Sequence, residues 1–197
     1  MANEVDRPLA RYEVLLCATG GIACYKAAEL TSLLVQAGAG VSVAMTEAAQ
    51  RFVAPLTFQT LSRREVYTSL WTSDHHWNVR HIALTELADL LIVAPATADV
   101  IAKIAVGLAD DLVSALALSA NQACPILLAP AMNSRMWQAP PVQENVHKLN
   151  SRGVVITGPE EGYLACGTIG PGRMSEPDVI YQAAADRLLK APPKKSG

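Results

Sequence analysis

Short apolar runs ending in small or turn-forming residues recur along this chain, and between them the apolar residues switch to helical spacing. Tyr12 to Ala18 (YEVLLCA) ends in Thr19-Gly20-Gly21. Val41 to Met45, Asp89 to Ala94 (DLLIVA), Pro125 to Ala129 (PILLA) and Val154 to Thr157 follow the same plan. Runs this short and this apolar read as strands buried on both faces. After the first run, Ala23, Ala27, Leu30, Leu34 and Ala37 repeat at steps of four and three, the apolar stripe of a helix that Gly38 and Gly40 end. Further helical patterns cover Pro55 to Leu61, Ala98 to Val106, Asp110 to Ala120, Pro141 to Arg152 and Pro177 to Leu189. Strand alternating with helix predicts an α/β fold, a three-layer Rossmann-like (flavodoxin-like) parallel sheet with helices on both faces. The expected organisation is one domain over residues 1–190 and a disordered tail over 191–197 (APPKKSG).

Composition narrows the function classes. Hydrophobic residues make up 51% and charged residues 17%, which suits a sheet covered on both sides and leaves apolar surface for subunit contacts. A net charge of −2 gives no footprint for nucleic acid or an anionic membrane. No apolar run approaches the ~20 residues that cross a bilayer. The polar start, Met1 to Leu9, is not a secretory signal, so a cytoplasmic location is expected. The four cysteines form no CxxC pair and no cluster with zinc spacing, so no metal is expected. Cys17, Cys24 and Cys124 sit in apolar strand or helix patterns as small buried hydrophobes, whereas Cys166 stands in a glycine-rich stretch.

In such sheets ligands bind beyond the carboxyl ends of the strands, so the loops after the strands carry the chemistry. Thr19-Gly20-Gly21-Ile22-Ala23 opens a helix with paired glycines that let backbone approach a ligand; by itself it is also an ordinary strand-to-helix turn. Thr46 after the second run and Thr97 in Pro95-Ala96-Thr97-Ala98-Asp99 both read as helix caps, and the small residues around Thr97 leave room for a flat ring. Pro130 to Trp137 crowds Met132, Asn133, Arg135, Met136 and Trp137 behind a buried strand, more bulk than a helix start needs. The Asn133 amide there can donate to a carboxylate. Gly162 to Met174 holds four glycines and a proline around Cys166, and reads as a long irregular loop carrying a thiol. His75 and His76 lie between Trp71 and Trp77 with no further metal ligands and read as surface loop. His81 opens the segment His81-Ile82-Ala83-Leu84 ahead of the third strand.

Taken together and in this order, the Thr19-Gly20-Gly21-Ile22-Ala23 turn with Tyr25-Lys26, His81 to Leu84, Pro95 to Asp99, the PxMNxxMW segment Pro130 to Trp137 and the Ala165-Cys166-Gly167 to Met174 loop resemble the homo-oligomeric flavin-containing cysteine decarboxylases. The resemblance runs from about Glu13 to Glu176, and PxMNxxMW is its most specific element. The sequence departs from the family at Asp99, where several relatives have Asn, and at Gly21, where Ser is common.

The resemblance implies FMN as cofactor and decarboxylation of a cysteine carboxylate. Oxidation of the substrate to a thioaldehyde would activate it, CO2 loss would give an enethiol, and re-reduction would complete turnover. It implies Gly20, Gly21, Ile22 and Thr46 at the FMN phosphate and Thr97, Ala98, Asp99 and Ala131 along the flavin. Asn133 would hold the substrate carboxylate, Met132 and Met136 would shape the apolar wall, His81 would act as base or orienting group, and Cys166 would be the general acid of the final reduction. The cysteine loop points to the branch acting on phosphopantothenoylcysteine in coenzyme A biosynthesis. The alternatives are a peptidyl-cysteine decarboxylase, whose family branch typically lacks that loop, and an inactive flavin-binding regulatory subunit. The family also implies a homo-oligomer, trimeric or dodecameric. Many bacterial members carry a fused ligase domain; this sequence ends near residue 197, so the ligase is expected to be a separate protein unless it was removed.

Overall fold

A computed structural model describes residues 7–71, 80–120, 124–165 and 167–194. The strands β1 (Glu13–Ala18), β2 (Gly40–Met45), β3 (Val66–Tyr67), β4 (Leu90–Ala96), β5 (Ile126–Pro130) and β6 (Val155–Ile156) form one parallel sheet in the order β3-β2-β1-β4-β5-β6. The direction of strand progression reverses between β1 and β4, which opens a crevice at their carboxyl ends. The expected strands fall where the apolar runs placed them. The two-residue edge strand β3 is additional, and it is too short to carry a periodic signal.

The helices are α1 (Cys24–Gln36), α2 (Pro55–Ser62), α3 (Arg80–Leu87), α4 (Ala98–Val106), α5 (Leu112–Ser119), α6 (Ser134–Trp137), α7 (Pro140–Ser151) and α8 (Pro177–Leu188). Alternate strand residues enter two separate cores. Val14, Leu16, Leu90 and Ile92 pack with Leu30, Leu34, Phe58, Ile180 and Leu188 from α1, α2 and α8. Leu15, Cys17, Leu91 and Val93 pack with Ile101, Leu116 and Leu149 from α4, α5 and α7. Burying each such leucine contributes about 1.5–3 kcal/mol, so both layers are strongly held. In β4 the alternation breaks: Ala94 lies in the first core and Ala96 in the second, with a register shift between Val93 and Ala96. The shift lets β4 run on through Pro95, beyond the expected end at Ala94.

Two stretches differ from the sequence expectation, and a third was given no element by it. The segment holding His81 is helical, in the first turn of α3. The stretch read as an irregular glycine-rich loop is an antiparallel hairpin, β7 (Glu160–Tyr163) with β8 (Ile169–Arg173). Pro171 is tolerated because a two-stranded ribbon has only edge strands, where a missing N–H need not break a ladder. Residues 191–194, expected to open a disordered tail, return to the body: Tyr12 Oη donates to Ala191 O at 2.8 Å and Lys194 Nζ donates to Ala88 O at 2.6 Å. Lys194 thereby meets carbonyls at the end of α3, where a cation is favoured.

Candidate active site

The loops at the carboxyl ends of β1, β2, β4 and β5, together with the hairpin, enclose one cavity of about 1120 Å³. The expected cofactor and substrate residues all line it: Gly20, Gly21 and Ile22 after β1, Thr46 after β2, Thr97, Ala98 and Asp99 after β4, and Ala131, Met132, Asn133 and Met136 after β5. His81 and Cys166 cannot be placed in the same way. The side chain of His81 and the whole of Cys166 lie outside the described residues, as do His75 and His76. Groups of three or more metal-binding side chains are absent among the described residues.

The first loop is set by close contact as well as by hydrogen bonds, among them Cys24 N to Gly21 O at 3.0 Å. A Cβ on Gly20 would lie 2.4 Å from Ala48 Cβ, so only glycine lets the β1 and β2 loops approach this closely. A Cβ on Gly21 would meet nothing nearer than Pro95 Cγ at 3.8 Å, so that position has room for a side chain. Helix α1 starts at Ala23 with no side-chain cap and no acidic residue in its first turn. Cys24 N and Lys26 N turn back to Gly21 O and Ala23 O, both at 3.0 Å, so the positive end of the helix dipole, with no side chain against it, faces the cavity.

Thr46 and Thr97 do what their caps predict. Thr46 Oγ1 accepts from Ala49 N at 3.2 Å, and Thr97 Oγ1 accepts from Val100 N at 3.3 Å, starting α4. Thr19 Oγ1 donates to Pro95 O at 2.6 Å and accepts from Thr97 N at 3.4 Å. The two loops that diverge at the crevice are therefore clasped by one buried hydroxyl.

Asn133 caps the single-turn helix α6, its Oδ1 accepting from Arg135 N at 2.8 Å. The hairpin joins this wall through Met132 N, which donates to Gly172 O at 2.9 Å. Gly172 has φ +140°, and a Cβ there would collide with Met132 O, so the contact requires glycine. Gly170 likewise leaves space for Ser134, whose Oγ would stand 2.6 Å from an added Cβ.

Sequence reasoning named Asp99 but missed its charged neighbours in the cavity wall, Lys103 and Asp111. Lys103 pairs with Asp111 at 2.8 Å, Asp110 at 3.0 Å and Asp99 at 3.3 Å. Burial alone would raise the Asp111 carboxyl, but hydrogen bonds from Lys103 and Ser114 outweigh it and hold it below its ordinary value. The same carboxylates, Asp111 first, raise the Lys103 ammonium and keep it charged. The step of four from Asp99 to Lys103 was a legible signal; the arrival of Asp111 from the α5 cap was not. Burial pushes up the thiols of Cys17, Cys24 and Cys124, which makes them poor nucleophiles. Among the described residues no helix is long and apolar enough to cross a membrane.

The family model described as Flavoprotein matches residues 2–189. The chain is 53% identical over 171 residues to the coenzyme A biosynthesis bifunctional protein CoaBC of Bacillus subtilis, covering 87% of this chain and 42% of that protein. It is 47% identical over 176 residues to the protein of the same name from Escherichia coli, covering 89% and 43%. The chain thus spans less than half the length of these curated relatives. Among solved structures, a PPC decarboxylase variant complexed with pantothenoylaminoethenethiol superposes with a TM-score of 0.81 at 30% identity, over 92% of this chain and 100% of that one. The FMN-dependent cysteine decarboxylase SpaF superposes with a TM-score of 0.80 at 29% identity, over 92% and 98%.

Proposed function

Because the chain belongs to the flavoprotein family, we propose that it binds FMN in the crevice between β1 and β4 and decarboxylates phosphopantothenoylcysteine to phosphopantetheine, a step of coenzyme A biosynthesis. The observation that carries this reading is the meeting, in one cavity, of a glycine turn at an uncapped helix start with the Met132-Asn133-Met136 wall. Relatives and structural neighbours support it by name: the coenzyme A proteins, the PPC decarboxylase and the FMN-dependent SpaF.

The residues present fit the cofactor. The close Gly20–Ala48 approach keeps side-chain bulk away from the first loop, and the start of α1, which no side chain caps, turns the positive end of a helix dipole to the cavity, as favours a phosphate. Ala98 and Ala131 keep the walls of the cavity low where a planar ring would lie. When bound, the flavin supplies the electron sink that a simple cysteine carboxylate lacks.

The chain's own residues then bind, orient and move protons. Asn133 would receive the substrate carboxylate through Nδ2, since its Oδ1 serves the α6 cap. Met132 and Met136 supply the apolar wall beside it, which excludes water and strengthens that hydrogen bond. Cys166, between Ala165 and Gly167 in the connection from β7 to β8, is assigned as proton donor in the last reduction, and His81 as the base or orienting group. We further assign a cytoplasmic location and a homo-oligomer, trimeric or dodecameric; the exposed Ile22 and Tyr25 at the cavity rim support subunit contact there.

The test is direct. The purified protein is examined for flavin absorbance, then mixed anaerobically with phosphopantothenoylcysteine while CO2 and product mass are followed. Phosphopantetheine formed with the flavin oxidised at the end is the expected result. A flavin-loaded protein inert to this substrate refutes the substrate assignment, and a protein that cannot be loaded with FMN refutes the cofactor.

A further inference from the structure

Lys26 is a buried cation that the proposed chemistry does not use. Its side chain is only 7% exposed, yet it lies in the cavity wall one turn into α1. Its Nζ donates to Met174 O at 3.0 Å and pairs with Glu176 Oε1 at 3.0 Å. The same Glu176 oxygen meets Arg173 Nη1 at 3.2 Å, and Arg173 Nη2 meets Glu160 Oε2 at 3.1 Å. An ionic chain therefore runs from α1, through the residue that caps α8, to the first residue of β7 and the last of β8.

Two features show what this chain of charges does. It contains two cations and two anions, so it carries no net charge with which to attract a ligand; its effect is to fix positions. It also ends at the base of a two-stranded hairpin, an element that is marginal in water unless something holds it. The far part of that hairpin, Tyr163 to Ala165, forms a wall of the cavity. Tyr163 is highly exposed, so its placement cannot come from burial.

We propose that Lys26 is a positioning residue: through Met174, Glu176 and Arg173 it fixes the β7–β8 hairpin, and with it the wall of Tyr163, Leu164 and Ala165, over the cavity. A lysine suits this role because its long stem packs within the body while its ammonium satisfies a carbonyl and a carboxylate together. The kinetic consequence rests on the decarboxylase reading above; the structural one does not.

The experiment compares FMN-loaded wild type with Lys26→Met, which keeps the stem and removes the charge. Native-state hydrogen exchange of the β7–β8 amides is expected to accelerate about tenfold or more, the factor for losing a charge-assisted hydrogen bond. Exchange in β1 and β4 is expected to stay within about twofold. With phosphopantothenoylcysteine, kcat/KM falls in parallel, while FMN affinity changes by less than about threefold. Glu176→Gln, which weakens the pairs with both Lys26 and Arg173, is expected to loosen the same amides, and the double variant to loosen them by less than the product of the two single factors. Hairpin exchange at the wild-type rate in both folded single variants overturns the proposal. So does acceleration spread equally over the central strands, which would make Lys26 a general stabilising residue, and so does additivity in the double variant. If Lys26→Met does not fold, Glu176→Gln and its exchange map decide alone. If wild type proves inert to the substrate, the exchange result stands and the functional reading is what fails.

Discussion

Gly20 and Gly21 are neighbours in the chain and opposites in what they tolerate. A methyl on Gly20 would start 2.4 Å from Ala48 Cβ and 3.2 Å from the Ala48 carbonyl carbon, whereas ordinary contact begins near 3.4 Å. The β1 and β2 loops would have to separate by about 1 Å, and overpacking of that kind costs about 1–3 kcal/mol. With a urea slope of about 2 kcal/mol per molar, Gly20→Ala should lower the unfolding midpoint of the apoprotein by about 0.5–1.5 M. Gly21→Ala, whose methyl would find 3.8 Å of clearance, should stay within about 0.5 kcal/mol, or a midpoint shift of about 0.25 M. Separation of the loops also widens the cradle at the start of α1, so Gly20→Ala should weaken FMN binding by about tenfold or more. Urea unfolding at fixed protein concentration, followed by circular dichroism, reads the first effect; quenching of flavin fluorescence on titration reads the second. Equal midpoints for the two variants would refute the argument, because it rests entirely on the difference in clearance.

Other consequences are equally concrete. Asn133→Asp preserves the α6 cap, since aspartate caps as well as asparagine, but places a negative charge against the substrate carboxylate. Turnover should vanish with FMN still bound and the melting temperature nearly unchanged, and residual activity would remove Asn133 from the site. Cys166→Ser should still release CO2 while an enethiol accumulates, detectable by mass spectrometry; normal yields of phosphopantetheine would exclude the assigned proton donor. Asp111 contributes stability that is present above its unfolded value of about 3.9 and is lost as pH falls through its lower folded value. Lys103→Met removes the main partner that holds it low, so the acid limb of the melting-temperature profile should move to higher pH. A limb that stays in place would show that Ser114 alone holds Asp111.

Much of this fold was written locally. The strand runs and the helix stripes are periodic signals confined to a few residues each, and Gly, Pro and Thr punctuation sets their ends. What escaped depends on partners far away in the chain. The hairpin looked like a loop because Gly162, Gly170 and Gly172 suppress any strand signal; their need is set by Arg173, Ser134 and Met132 across the cavity wall. The pairing of Lys26 with Met174 joins residues separated by 148 positions, so no window could show it. The returning tail carries the composition of a disordered segment, and only the carbonyls at the end of α3 give Lys194 a destination. At the site the neutral small residues were legible from the loops, as was the i, i+4 step from Asp99 to Lys103, while the pairs of Lys26 with Glu176 and of Lys103 with Asp111 were not, since each joins two separate segments.

The Met132–Gly172 contact has a consequence for anyone who would alter what this cavity accepts. Because the backbone of one segment is docked on the backbone of the other, the β5 loop with its asparagine and the glycine-bearing hairpin are a single interchangeable part. A chimaera that imports residues 130–137 without 160–174, or the reverse, inherits a seam with mismatched halves. One that moves both together carries the seam intact and leaves the sheet beneath it undisturbed.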